Sequence, residues 1–226
     1  MTTPPTASDA RAAILGAKQE RSRRTLDRLL DAAEQVLAEH GLEGATVPAI
    51  ARQAGLSVGV VYRRFRDKDA LLRAVHDRFF ERVAEANRSA LDPERWDGVP
   101  ARTVATAVVR GIVRGHREYR GLLRALLLFA ETHPDAAFRR RAAARSAEAF
   151  GQLGGLLLAR RGELAHADPE NAMGFGLLVV ASTLRGWLFA DADTLGSYAG
   201  DDAVLARELA RLCTRYLGID AGGGAS

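Results

Sequence analysis

The stretch "TVPAIARQAGLSVGVVYRRFRDKDALL", residues 46–72, decides the fold of this 226-residue chain. Thr46 can cap a first short helix through its hydroxyl, and Pro48 falls in the first turn, where its missing N–H costs nothing. Gly55 ends that helix, and Ser57 is expected to cap a second one through its hydroxyl. Two short helices joined by the turn "GLS" form a helix-turn-helix motif.

The second short helix, predicted to run to about residue 65, has two sides when its residues are placed at about 100° per residue. Val61 and Phe65 fall on the side that docks on the preceding helices. The outward side consists of Val58, Gly59, Tyr62, Arg63 and Arg66. Arginine donors fit phosphate or guanine, a tyrosine hydroxyl can reach phosphate, and valine can meet a thymine methyl group. This side therefore suits DNA.

The glycine on this helix calls for an explanation of its own. Inside a helix, glycine costs about 1 kcal/mol relative to alanine. Gly59 is therefore expected either to let a partner surface approach the helix backbone closely or to relieve crowding between helices.

The positive charge of the chain is concentrated in the same region. The formal net charge is +4. Residues 47–66 contain four arginines and no acid, so this window alone carries as much charge as the whole chain. The local excess indicates an anionic partner for the helix-turn-helix.

Apolar stripes at helical spacing predict an all-α fold of about nine helices, with no strand. We expect a flexible arm at 1–20, a helix-turn-helix domain at 21–66 and a second helical domain at 67–226. His40-Gly41 is predicted to end the first helix, and Asp67 is predicted to cap the fourth. Five more helices are predicted near 101–116, 119–133, 135–161 and 169–190, and from Asp201 onward.

Several other classes of protein are disfavoured. The five histidines have no metal-ligand spacing, and phosphate-loop and nucleophile-elbow motifs are absent, so no enzyme, metal or cofactor is predicted. The single cysteine and the lack of a secretory signal at the start favour the cytoplasm. The longest apolar run, "GFGLLVVASTL" (174–184), is too short to cross a bilayer and is expected to be a buried helix.

Residues 46–72, together with the helix before them, resemble the DNA-binding region of the TetR (tetracycline-repressor-like) family of transcriptional regulators. The resemblance covers about residues 22–80. The matching positions are Thr46, Ile50, Ala51, Ala54, Gly55, Ser57, Gly59, Tyr62, Phe65, Lys68 and Leu71.

The resemblance implies a DNA-binding role for specific residues. Those expected to face the major groove are Val58, Gly59, Tyr62 and Arg63, and those expected to hold phosphates are Thr46, Ser57, Tyr62, Arg64 and Lys68. Two positions depart from the family pattern: Val60 replaces a small polar residue, and Arg64 stands where histidine is common. The arm, with Lys18, Arg21, Arg23 and Arg24, is expected either to touch DNA or to remain solvated.

The same resemblance implies that the second domain binds an effector and forms a homodimer. The pocket residues expected among helices 5–8 are His116, Arg120, Leu126, Phe129, Phe150, Met173 and Trp187. The dimer residues expected on the last two helices are Leu177, Leu184, Leu205, Leu209 and Leu212. The implied function is a repressor released from a palindromic operator by a small apolar or amphipathic effector. The alternative is an activator, or a regulator that acts through a protein partner.

Overall fold

A computed structural model of the chain describes residues 7–190 and 201–219, and these ranges contain helices and loops but no strand. The α-helices of this part of the chain are α1 (Ala7–Gly44), α2 (Val47–Gln53), α3 (Val58–Tyr62), α4 (Lys68–Ala90), α5 (Ala101–Glu118), α6 (Arg120–Thr132), α7 (Ala136–Leu158), α8 (Pro169–Phe189) and α9 (Asp202–Tyr216). Short 3-10 helices lie at Pro93–Trp96 and Arg161–Glu163. The predicted all-α class is confirmed.

The chain divides into two compact units, Met1–Asp77 and Arg78–Ser226. The division falls inside α4, whereas the predicted domain boundary lies before that helix, after residue 66. The first unit therefore contains the first turns of α4 together with α1, α2 and α3.

Helix α1 is longer than the sequence pattern predicted, because it begins at Ala7. Residues 7–20, predicted to be a flexible arm, are helical. The segment is rich in alanine and other good helix formers and contains no proline, so nothing in it stops the helix. The predicted end at Gly41 is confirmed by its φ of 66°, a left-handed conformation that breaks the helix locally.

Helix α3 is shorter than predicted and ends at Tyr62 rather than near residue 65. The Arg64 N–H bonds to the Val61 carbonyl three residues back, at 2.9 Å, as in a 3-10 turn, so the regular α-helix ends before it, although the Phe65 N–H still bonds to Val61 four residues back at 2.9 Å. Val61 is 1% exposed and anchors the helix, which contacts α2.

The second unit is built around α5, which packs most extensively against α9. One buried cluster joins α5, α7 and the start of α8, and includes Val104, Leu156 and Met173. A second cluster joins α5, α8 and α9 and includes Leu184 and Leu209. These two clusters place the apolar sides of the long helices inside the unit.

Helix α8 contains the longest apolar run of the chain. By length and composition alone it could cross a membrane. Seven of its residues are buried in the second unit: Ala172, Met173, Gly176, Val180, Leu184, Trp187 and Leu188. Phe175 and Leu178 on the other side are exposed, so the expectation of a buried helix holds for one side of α8 only.

Candidate nucleic-acid interface

The turn between α2 and α3 is fixed by local contacts. The Thr46 hydroxyl accepts a hydrogen bond from the Ala49 N–H at 3.3 Å, which caps α2 as predicted. Gly55 has a φ of 62°, so the chain can turn there without strain. From α1, Arg28 Nη2 donates to the Ala54 carbonyl at 2.7 Å. The end of α2, where the turn begins, is therefore tied to α1.

The outward side of α3 is exposed, as its residue pattern predicts. Tyr62 is 54% exposed and Val58 is 37% exposed, while Val61 on the opposite side is buried. Gly59 and Arg63 are also exposed. Large side chains that leave a helix without covering any core are available to a partner.

Gly59 is not explained by crowding within the chain. A Cβ built at this position would lie 3.9 Å from Ser57 Oγ and 4.0 Å from Arg63 Nη1, which are ordinary contacts. Its φ is not positive. Of the two reasons expected for this glycine, close approach of an external surface remains.

Ser57 occupies the N-cap position of α3 but does not use its hydroxyl as a cap. Its backbone has the extended conformation of an N-cap residue, with φ −77° and ψ 150°, yet its side chain makes no capping bond. The predicted hydroxyl cap is therefore wrong. The Ser57 side chain is exposed beside Val58.

Two predicted phosphate ligands hydrogen-bond within the first unit. Arg64 Nη2 donates to the Ser22 carbonyl at 2.8 Å and to Ser22 Oγ at 3.2 Å. Lys68 Nζ donates to the Leu42 carbonyl at 3.1 Å. Guanidinium has five N–H donors and ammonium three, so both side chains keep donors for a further acceptor. That they bind phosphate stays a prediction.

Asp67 caps α4, as predicted, and pairs with its neighbour Arg66. Its Oδ1 accepts the Ala70 N–H at 2.8 Å, and its Oδ2 accepts from Arg66 Nε at 2.8 Å. The Ala70 N–H and then the Arg66 guanidinium lower the pKa of Asp67. Arg66 is thus paired with a carboxylate, and Arg63 lies exposed at the end of α3.

The residues predicted for the effector pocket are mainly engaged in packing. Leu126 is fully buried, and the Phe129 ring lies 5.1 Å from His133 and 5.4 Å from Phe138. Met173 and Trp187 belong to the two core clusters, and Phe150 packs against both.

The two polar residues predicted for the pocket contact the backbone. His116 Nδ1 lies 2.9 Å from the Ile112 carbonyl, and burial lowers the pKa of its ring. Arg120 donates to the Trp187 carbonyl at 3.2 Å, and its guanidinium lies 4.7 Å from the centre of the Trp187 ring. That these residues form an effector pocket stays a prediction.

A large cleft in the second unit is lined by other residues. It has a volume of about 930 Å³ and lies between the end of α4, the 91–100 loop and the end of α7. Leu91, Val99 and Leu156 give it apolar walls, and Gln152 contributes a buried Oε1 atom that accepts no hydrogen bond within the described residues. None of the seven predicted pocket residues lines it.

The predicted dimer residues divide into two groups. Leu184, Leu205 and Leu209 are buried in the core of their own chain, and Leu177 is half-buried against it. Leu212 alone is well exposed, at 45%.

Three exposed aromatic or aliphatic residues on α8 and α9 were not among the predicted dimer residues. They are Phe175, Leu178 and Tyr216, and Leu178 is 61% exposed. The Phe175 and Tyr216 ring centres lie 5.4 Å apart, which brings α8 and α9 together on one surface. The spacing of residues 175 and 178 predicts that they lie on one side of α8. Because both sides of α8 are apolar, periodicity alone does not predict which side is buried and which is exposed.

Within residues 7–190 and 201–219, no group of histidine, cysteine, aspartate or glutamate side chains could hold a metal ion. Cys213 is buried, and this burial raises the pKa of its thiol to about 11. The thiol is therefore protonated at neutral pH and has little nucleophilic character.

The two short helices, the glycine turn and the exposed basic side of α3 together define a helix-turn-helix DNA-binding unit. Residues 29–75 match the model of the family "Bacterial regulatory proteins, tetR family". The helix-turn-helix region of the chain is therefore of the TetR type, and the TetR family consists of transcriptional regulators.

Relatives and solved structures agree with this assignment. The chain is 32% identical over 121 residues to the HTH-type transcriptional repressor Rv1474c of Mycobacterium tuberculosis, over 54% of this chain and 58% of the relative. It therefore spans only a little more than half of that protein.

The fold of nearly the whole chain is similar to those of two solved structures. One is a Mesorhizobium loti protein assigned to the TetR family, with a TM-score of 0.69, 20% identity and coverage of 88% of this chain and 98% of that one. The other is the regulator FadR of Bacillus subtilis in complex with stearoyl-CoA, with a TM-score of 0.63, 18% identity and coverage of 82% and 96%. At these identities the likeness concerns the fold alone.

Proposed function

We propose that this protein is a homodimeric transcriptional repressor that binds a palindromic DNA operator through α3 and is released by a small amphipathic effector. The observation that carries the proposal is the outward side of α3. Tyr62 and Arg63 are exposed there, and Gly59 leaves room for a surface that lies outside the chain.

The chemistry of this side favours DNA over a protein partner. The side carries arginine and tyrosine and lacks acids, and residues 47–66 hold the local charge excess. Arginine reads guanine through two hydrogen bonds, and each good pair discriminates by about 1–3 kcal/mol. Because Gly59 has no side chain, the helix backbone can come close to the surface of a DNA groove at this position.

The dimer follows from the size of α3 and from the apolar surface of the second unit. A five-residue recognition helix buries little surface, and a two-fold dimer doubles the contact and matches an inverted repeat. The surface that we propose for the second copy contains Phe175, Leu178, Leu212 and Tyr216, all exposed on α8 and α9. Of the predicted dimer residues, only Leu212 belongs to this surface.

The effector is proposed to bind in the second unit. The cleft beside Gln152 is large enough for a drug-sized molecule and has both apolar and polar walls. The relatives support a repressor, because Rv1474c is named as one. An activator, or a regulator that responds to a protein partner, is the alternative.

The DNA-binding proposal is tested by selecting duplexes from a randomised pool with the wild-type protein. The expected result is enrichment of an inverted repeat that gives a discrete gel shift. The double variant Tyr62→Ala and Arg63→Ala should lose at least about 30-fold in affinity for that duplex, since two contacts of about 1–3 kcal/mol each are removed. Its unfolding temperature should stay close to wild type, because both side chains are exposed.

A matched control changes residues of the same types outside the helix-turn-helix. Tyr119→Ala with Arg140→Ala also removes an exposed tyrosine and an exposed arginine, here in the second unit. This variant should bind the selected duplex as wild type does. If the Tyr62 and Arg63 variant also bound normally, α3 would not be the reading helix.

The dimer surface and the effector can be tested separately. Leu178→Asp should convert a dimer into a monomer in sedimentation at micromolar concentration, whereas Leu128→Asp, an exposed leucine of α6, should not. An unchanged dimer in Leu178→Asp would exclude this surface. Stearoyl-CoA, present in the Bacillus subtilis FadR structure, is a first effector probe. It should raise the unfolding temperature and weaken the gel shift, with coenzyme A as the control for the acyl chain.

A further inference from the structure

We infer that the cleft beside Gln152 binds an organic cation, an amine with an aliphatic body, and that Asp97 and Gln152 bind its ammonium group. The inference rests on the proposed function, which makes this cleft the effector site, and it adds the chemical class of the effector. Its basis is the hydrogen bonding of the charged residues that line the cleft. These residues are Arg88, Asp92, Asp97, Arg160 and Glu163.

Arg160 is engaged by the backbone around the cleft. Its Nε donates to the Val99 carbonyl at 3.0 Å, its Nη1 donates to the Leu156 carbonyl at 2.8 Å, and its Nη2 donates to the Trp96 carbonyl. All three nitrogens of the guanidinium thus hold the 91–100 loop or the end of α7. Arg160 therefore does not present a full fork of donors to an anionic ligand.

The carboxylates of the cleft are less fully engaged. Asp92 Oδ1 accepts the Glu94 N–H at 3.1 Å, and Glu163 Oε2 accepts the Ala101 N–H at 2.8 Å. Asp97 is exposed in the 91–100 loop, and its carboxylate makes no hydrogen bond or ion pair with any residue of the described part of the chain. Asp97 is therefore the charged group of the cleft that a ligand can pair with most readily.

The balance of charge in the cleft also favours a cation. Three carboxylates and two guanidiniums line it, which gives a formal balance of −1. One of the two guanidiniums, that of Arg88, pairs with Glu85 on α4, so a further carboxylate lies beside the cleft. This balance attracts an ammonium group and repels a carboxylate or a phosphate.

The uncharged walls fit the body and the N–H groups of an amine. Leu91, Val99 and Leu156 supply apolar surface for an aliphatic chain. Gln152 Oε1 is shielded from water and accepts no hydrogen bond within residues 7–190 and 201–219. A shielded acceptor without a donor is costly, and no hydrogen bond in these ranges holds the amide in place. An ammonium group supplies the missing donor when the amide turns toward it.

Isothermal titration calorimetry with decylamine and decanoate, which have the same chain length, separates the effect of charge from that of the aliphatic chain. Decylamine should bind wild type at one site per chain and about fivefold more tightly than decanoate. The net charge of the chain is +4, so non-specific attraction would favour decanoate instead.

Asp97→Asn should weaken decylamine binding by about fivefold, the upper value for an exposed ion pair, without weakening decanoate binding. The matched control is Glu118→Gln, which removes an exposed carboxylate at the other end of α5 from the cleft. This control should bind both ligands as wild type does. Equal affinities of wild type for the two ligands, or of wild type and Asp97→Asn for decylamine, would overturn the inference.

Gln152→Leu separates ligand binding from stability. Leucine is similar in size to glutamine but has no polar atom to leave without a partner, so this variant should unfold about 2–4 °C above wild type. It should nevertheless bind decylamine more weakly. A variant that is more stable and binds less cannot be explained by a damaged fold. Wild-type affinity for decylamine in Gln152→Leu would overturn the role of this amide.

The gel shift of the selected duplex tests the proposed function separately. If decylamine bound the cleft but left the gel shift unchanged, the cation site would stand, and release from DNA through this cleft would be wrong. If stearoyl-CoA weakened the gel shift while decylamine failed to bind, the inference would be wrong and the proposed function would stand.

Discussion

Two helical glycines, Gly154 in the second unit and Gly59 in the first, lie in different surroundings. A Cβ at Gly154 in α7 would lie 3.0 Å from Leu177 Cδ1 and 3.3 Å from Met173 Cγ, both on α8. A Cβ at Gly59 in α3 would meet nothing closer than 3.9 Å. The chain's own packing therefore explains Gly154, whereas Gly59, like several helical glycines of the second unit, has open space at its Cβ position and leaves room for a surface outside the chain.

The exposed surfaces of the two units differ in the same way. On α3 the outward residues are polar or small, and the arginine there suits an anionic groove. On α8 and α9 the outward residues, such as Phe175 and Leu178, are apolar and suit a second protein surface. The two surfaces therefore suit partners of different chemistry, as the proposed DNA-binding dimer requires.

The largest expected effect is a loss of stability when a leucine on the buried side of α8 is shortened. Leu184→Ala should lower the free energy of unfolding by about 2–5 kcal/mol, because Leu184 is fully buried among α5, α8 and α9. Chemical denaturation followed by circular dichroism measures this loss. If Leu184→Ala instead kept wild-type stability and dissociated the proposed dimer, Leu184 would lie at the dimer interface, as the sequence predicts, and not in the core.

The next effect tests the glycine of α3. Gly59→Ala should weaken binding to the selected duplex by about tenfold, or ~1.4 kcal/mol, because the added methyl group keeps the helix backbone away from DNA. The same change should leave the fold unharmed or stabilise it by up to about 1 kcal/mol, since alanine is the better helix former. Gel shift and thermal unfolding measure the two parts. Weaker folding together with normal DNA binding would mean that Gly59 serves the chain itself.

The matching change in the second unit should have the opposite signature. In Gly154→Ala the same gain in helix propensity is opposed by contacts with Leu177 and Met173, and overpacking costs about 1–3 kcal/mol. We expect a net loss of about 1 kcal/mol in the free energy of unfolding and no change in the DNA affinity of the folded protein. If Gly154→Ala were more stable than wild type, the α8 side chains Leu177 and Met173 would be able to move aside for the added methyl group. Gly154 and Gly59 would then not differ in how well they tolerate alanine.

The sequence predicted the first unit in more functional detail than the second for a physical reason. Short helices have few residues, so the role of each residue can be predicted from its neighbours in the sequence: Gly55 ends a helix, Asp67 caps one, and Tyr62 faces outward. In the second unit both sides of α8 are apolar, and only packing decides that Leu184 is covered while Leu178 is not. The cleft beside Gln152 likewise depends on how distant segments meet.

The misjudged details of the first unit have equally specific causes. Residues 7–20 lack proline, and their helix formers continue α1 to Ala7, although their composition suggested a flexible arm. The side chain of Arg64 crosses to α1 and bonds to Ser22, a contact across 42 positions of sequence that no local pattern contains. Ser57 takes the backbone conformation of a cap without using its hydroxyl, a choice that depends on the orientation of one side chain.

The smallest expected effect concerns Asp67, the residue that caps α4. The pKa of Asp67 is lowered in the folded state by the Ala70 N–H and by Arg66. Asp67 therefore contributes stability that is present above its unfolded-state pKa of about 3.8 and is lost as the pH falls through the lower folded-state value.

In Asp67→Asn the side chain can still cap the helix but cannot titrate. Below about pH 3.8 the stability of wild type should approach that of the variant, while at pH 6–8 their difference should stay constant. Thermal unfolding across this range measures it. If wild type and Asp67→Asn still differed in stability at the lowest pH, protonation of the Asp67 carboxylate would not be the cause of the lost stability.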